Sequence, residues 1–109
     1  MDLPKLRKLV ALDENDPLSR FALGKKLFED SHGDRAMLEE AAKHLAFSNQ
    51  HAREHLATYH VYAQTLIALG KTTEAKTVLT EGNDRVAAAG GGMGRDLGPV
   101  LSEMLAELS

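Results

Sequence analysis

Cysteine is absent from the 109 residues, which excludes disulfides, thiolate metal sites and thiol nucleophiles. Tryptophan is absent as well, and the aromatic residues amount to three Phe and two Tyr. With few β-branched residues beside them, Leu and Ala are left to fill the interior, a composition that suits closely packed helices better than a β-sandwich. No apolar run approaches the roughly 20 residues that a membrane helix needs. The opening Met1-Asp2-Leu3-Pro4-Lys5 lacks a basic region followed by an apolar one. Neither sign of charge dominates: 13 Lys and Arg oppose 16 Asp and Glu, for a net charge of −3. Residues 1–50 hold 8 basic and 9 acidic groups, and residues 51–109 hold 5 and 7, so neither half offers the basic surface that a nucleic-acid backbone requires. The expectation is a soluble cytoplasmic protein with neither nucleic acid nor membrane as partner. The chain is one domain at most, too short for a catalytic barrel or for a dinucleotide-binding domain with its partner.

What is present is helical periodicity. Leu3, Leu6, Leu9 and Val10 recur at helical spacing with Pro4 in the first turn, predicting a helix over 3–12. Asp16 is a good N-cap and Pro17 a good first helical residue; Leu18, Phe21, Leu23, Leu27 and Phe28 then carry a helix over 17–30, stopped by Ser31-His32-Gly33-Asp34. Leu38, Ala41, Ala42 and Leu45 predict a helix over 36–47, loosened by Ser48-Asn49-Gln50. Leu56, Tyr59, Tyr62, Ala63, Leu66 and Leu69 predict the next over 53–69, ended by Gly70. Ala75, Val78, Leu79 and Val86 extend another over 72–89, with Gly82 inside it. Gly90-Gly91-Gly92-Met93-Gly94 reads as a hinge before a last helix over 96–108, marked by Leu97, Val100, Leu101, Met104, Leu105 and Leu108. The predicted fold is all-α, built of antiparallel helix pairs.

The two central pairs are alike. Leu23 and Leu27 match Tyr62 and Leu66 at an offset of 39, while Glu40, Ala41 and Leu45 match Glu74, Ala75 and Leu79 at an offset of 34. Leu23-Gly24, Leu27, a Gly-containing turn and Ala41, repeated as Tyr59, Tyr62, Ala63, Leu66, Gly70, Ala75 and Leu79, resemble the tetratricopeptide repeat (TPR). The resemblance covers roughly residues 15–47 and 56–89. It implies a short superhelical stack whose first helices line a concave groove, with helices 3–12 and 96–108 as covers. This sequence departs from the family pattern at Arg20, where an aromatic is usual, and at Ser48 and Gly82, where Ala is favoured. Small residues at facing positions let helices approach closely, and two pairs bury too little surface without covers. A second copy of the chain, in a homodimer, would supply any cover the termini do not.

The resemblance implies protein or peptide binding as the function, with Phe21, Lys25, Phe28 and Glu29 of one first helix and His60, Gln64, Ile67 and Ala68 of the next lining the groove. Phe28 and Ile67 would offer apolar pockets, and Lys25, His60 and Gln64 polar contacts. Family members that capture acidic C-termini use several Lys, Arg and Asn side chains; here Lys25 alone stands out. Structural self-association is the alternative role. Other chemistry has weaker support. His51 and His55, four apart with Glu54 beside them, could share a helix face as metal ligands, but their order is not that of HExxH. Glu39, Glu40 and Glu54 have no fixed separation suited to glycoside chemistry. Ser19, Ser31 and Ser48 have no nucleophile-elbow context, and the Gly-rich segment lacks the Lys-Ser or Lys-Thr of a phosphate cradle. The expectation is a non-enzyme without cofactor or metal.

Overall fold

The computed structural model describes residues 1–90 and 93–109. Six α-helices account for the regular structure among the described residues: α1 Leu3–Leu12, α2 Pro17–Ser31, α3 Arg35–His51, α4 Leu56–Ala68, α5 Thr72–Ala89 and α6 Met93–Leu108. Their ends are set by local chemistry. Asp2, Asp16 and Asp34 each cap a helix, their carboxylates accepting from the backbone N–H of Lys5, Leu18 and Met37, which satisfies donors that would otherwise be orphaned. At the end of α4 the Gly70 N–H donates to the Ile67 carbonyl and the Lys71 N–H to the Leu66 carbonyl, both at 2.9 Å. That pair of bonds needs a left-handed residue, and Gly70 supplies it with φ +77°.

Three boundaries depart from the sequence reading. α3 continues past residue 47 to His51, because Ser48 and Asn49 are buried rather than solvated; a small hydroxyl at Ser48 faces Thr58 of α4 at 3.5 Å. The next helix starts at Leu56 instead of 53, since Ala52 and His55 close the turn with N–H bonds to Ser48 and Ala52. Of the predicted hinge 90–94, residues 91 and 92 lie outside the described residues, while Met93 and Gly94 belong to α6. Glycine weakens a helix by about 1 kcal/mol without forbidding it, and the stripe of Leu97, Leu101, Met104 and Leu108 continues beyond.

Short connections fold each helix back on its predecessor. Every helix packs on the next in the chain; in addition α2 packs on α4, and α4 on α6. This pattern, with contacts between successive helices and along the series α2, α4 and α6, is consistent with a stacked helical repeat. α1 packs on α2 and reaches α3 through the Arg7–Glu40 ion pair, whereas α6 packs on α4 and α5, so these two helices close opposite ends.

The core falls into two adjoining clusters. One joins Leu6 and Val10 to Leu23, Leu27, Ala41, Leu45 and Val61; the other joins Tyr59 and Ala63 to Leu79 and Leu101. Each fully buried leucine contributes about 1.5–3 kcal/mol. α4 serves both clusters, which is why it is apolar around most of its circumference. Glycine sets the closest approaches: a Cβ on Gly24 would lie 2.7 Å from Cγ of Leu45, and one on Gly82 would lie 3.0 Å from both Leu101 and Tyr59.

Candidate functional site

A groove of about 410 Å³ runs between α2 and α4. On α2 the residues facing it are Phe21, Lys25, Phe28 and Glu29; on α4 they are Ala57, His60, Val61 and Gln64. Both sets follow the three-to-four spacing of one helix face. Its floor rests on the first core cluster, since Val61 belongs to that cluster and Phe21 and Phe28 pack against it. The Phe21 ring is also held from the side, meeting the His55 ring edge-on at 4.8 Å. His55 is fixed in turn by Thr58, whose hydroxyl lies 2.7 Å from Nδ1.

The groove continues along α2. Phe28 and Glu29 also border a depression of about 290 Å³ completed by Ser31, His32, Gly33, Leu38 and Ala68. Six residues named from sequence, Phe21, Lys25, Phe28, Glu29, His60 and Gln64, thus lie together, with Ala68 at the extension. Ile67 lines neither depression and is 37% exposed. On α4 the two depressions are met by Ala57, His60, Val61, Gln64 and Ala68. Ala57 and Val61 were the residues that sequence alone did not single out. Val61 reads there as one more apolar core residue, and Ala57 carries no chemical signal at all.

Electrostatically the groove is balanced, with Lys25 and Glu29 one turn apart on its α2 wall. Burial pushes the His60 imidazole below its ordinary 6.5, so at neutral pH it is an uncharged donor and acceptor. Neither end helix fills the space, because all its lining residues come from α2 and α4. α1 lies on another side of α2, where Arg7 forms a forked ion pair with Glu40 of α3, one arm at 3.2 Å.

The other candidate groups are engaged elsewhere. His51 and His55 do not share a helix face: His51 ends α3, stacked at 4.2 Å on Phe47, while His55 caps α4. Among the described residues no three His, Asp or Glu side chains gather in a metal-binding group. Glu40 is held by Arg7, which keeps its carboxyl below the usual carboxylate range, and Glu39 pairs with Arg35 at 3.3 Å. Ser19 donates to Asp16, Ser31 to the Phe28 carbonyl, and Ser48 faces Thr58. No helix among the described residues is long and apolar enough to cross a membrane. No family model, curated protein or solved structure matches the chain.

Proposed function

We propose that this chain is a protein-binding module of tetratricopeptide type, and that the α2–α4 groove receives a peptide segment of its partner. The observation that carries the reading is the groove itself: two half-buried phenylalanine rings over Val61, edged by Lys25, Glu29, His60 and Gln64. An apolar floor provides affinity through desolvated side chains, and a polar edge fixes register. One cation and one anion on the wall disfavour strongly charged segments of either sign. The preferred ligand is a short segment with one or two large apolar side chains flanked by neutral polar residues. A clamp for acidic C-termini is not favoured, because Lys25 stands opposite no second cation.

The test is a fluorescence-polarisation screen of labelled peptides that vary in apolar content and charge. Binders are then mapped by amide chemical shifts. Shifts confined to residues 21–29 and 57–68, with at least a roughly tenfold loss of affinity in Phe28→Ala, are expected. The variant Gln64→Arg, at a half-buried position on the groove edge, should weaken the same peptides without altering helix content. Binding that maps elsewhere, or that both variants leave intact, would refute the assignment.

A further inference from the structure

The two end helices carry opposite charge on their outward faces. α1 contains Lys5, Arg7 and Lys8 and no acid; α6 contains Asp96, Glu103 and Glu107 against Arg95 alone. Arg7 is already engaged with Glu40. Lys5, Lys8, Leu9 and Leu12 form one exposed stripe on α1, opposite the side that buries Leu6 and Val10. Asp96, Val100, Glu103 and Glu107 form one exposed stripe on α6, away from buried Leu101. Both stripes include large apolar residues in water: Leu12 is 83% and Val100 37% exposed.

The stripes match in antiparallel register. Lys5 to Leu12 and Glu107 to Val100 each span seven positions, so one alignment sets Lys5 opposite Glu107 and Leu12 opposite Val100, with Glu103 one residue from the position opposite Lys8. The backbone supports the same orientation. Lys5 lies in the first turn of α1 and Glu107 in the last turn of α6, the ends at which each helix dipole favours the opposite sign. Asp2 offsets part of this at α1, whereas α6 has no basic residue in its last turn. Antiparallel docking would bring the positive end of one helix to the negative end of the other.

We infer that copies of this chain associate head to tail, the outer face of α1 of one copy seating on the outer face of α6 of the next. The contact is heterologous, joining two different surfaces, so each added copy leaves a free α1 and a free α6 and growth is open-ended. It leaves the α2–α4 groove uncovered, and it stands or falls independently of peptide binding there. A single helix-on-helix contact is small, so the association is weak and concentration-dependent.

Sedimentation equilibrium of the full chain from about 20 µM to about 1 mM tests this at low and high salt. The average mass should rise continuously with concentration, and the association constant should fall roughly tenfold from about 50 mM to about 500 mM salt. Lys5→Glu with Lys8→Glu, or Glu103→Lys with Glu107→Lys, should each give monomers, and mixing the two variants should restore association. The lack of native cysteine allows an independent readout should a reversed variant fold poorly. A Lys8→Cys copy mixed with a Glu103→Cys copy should form a mixed disulfide in preference to either like pair. A mass that plateaus at a closed dimer, a monomer throughout, association surviving either reversal, or preferential like-pair disulfides would overturn the inference.

Discussion

In the second helix pair Tyr59 of α4 is fully buried and its hydroxyl donates to the Arg53 carbonyl, six residues upstream, and to Glu81 of α5 at 3.2 Å. In the first pair the equivalent residue on α2 is Arg20. Its Nε donates to the Glu14 carbonyl, again six residues upstream, at 2.8 Å, and its guanidinium lies 4.4 Å from the centre of the Phe47 ring. Phe47 occupies the place in α3 that Glu81 occupies in α5. One turn further, His51 stacks on Phe47 where Arg85 approaches Glu81 at 3.8 Å. Aromatic and charged groups have therefore changed helices between the pairs, while the hydrogen bond that ties the entering chain to the first helix is kept. A side chain at this position must present a flat body to the second helix and a donor at its tip, and either Tyr or Arg meets both needs.

The pairs should nonetheless differ in how strongly they depend on that position. Tyr59→Ala empties a fully buried site and should destabilise the fold by about 3–5 kcal/mol, whereas Arg20→Ala, at a half-buried site, should cost about 1 kcal/mol. Urea denaturation of the two variants measures the ratio, and equal losses would erase the contrast. A second difference lies at Gly24, which corresponds to Ala63. Gly24→Ala pushes a methyl against Leu45 and should cost about 1–3 kcal/mol. The reverse change, Ala63→Gly, should cost about 1 kcal/mol through helix propensity alone. Thermal melts would show whether the first pair is the tighter of the two.

The cation–ring contact itself is open to a double-mutant cycle. Arg20→Ala and Phe47→Ala should couple by about 0.5–1 kcal/mol; additivity would reduce the contact to mere proximity. The smallest effect concerns pH. His44 stands where the second pair has Val78, with Nδ1 3.3 Å from Arg20 Nη1. Burial above all, then Arg20, pushes its pKa below the ordinary 6.5, against the opposing pull of Glu40. The unfolded chain therefore takes up a proton first as pH falls, so this contribution to stability is complete above pH 6.5 and declines below it. His44→Val should flatten the fall in urea midpoint between about pH 7.5 and 5.5. His55 and His60 are shifted in the same direction by burial, so the slope should shrink without vanishing.

The helices were legible because their apolar positions keep a regular period and because Asp16, Pro17 and Gly70 mark two of their ends. The face shared by Phe21, Lys25, Phe28 and Glu29 was legible in the same way, since residues three and four apart on α2 lie together. The failures have local causes. Ser48 and Asn49 look like solvent-facing polar residues, yet they are buried where α4 crosses α3, and nothing in their chemistry distinguishes a close-packing hydroxyl from a solvated one. Ile67 shares a helix face with His60 and Gln64 by its spacing, yet it lines neither depression. The pairing of His51 with His55 assumed a continuous helix, and the turn at 52–54 separates them. The exchange of Arg20 and Tyr59 was visible as a departure from pattern; its compensation by Phe47 needed the fold.

Because most contacts run between helices that follow one another in the chain, the exceptions being chiefly α2 with α4 and α4 with α6, most of the structure can form without bringing distant residues together. Such topologies fold rapidly, and they open from the ends rather than all at once. α4, shared between both core clusters, should hold the slowest-exchanging amide hydrogens of the molecule. α1 rests on α2 and one ion pair to Glu40, so its amides should exchange through an opening that leaves α2 to α6 folded. Acidification that neutralises Glu40 should widen the gap.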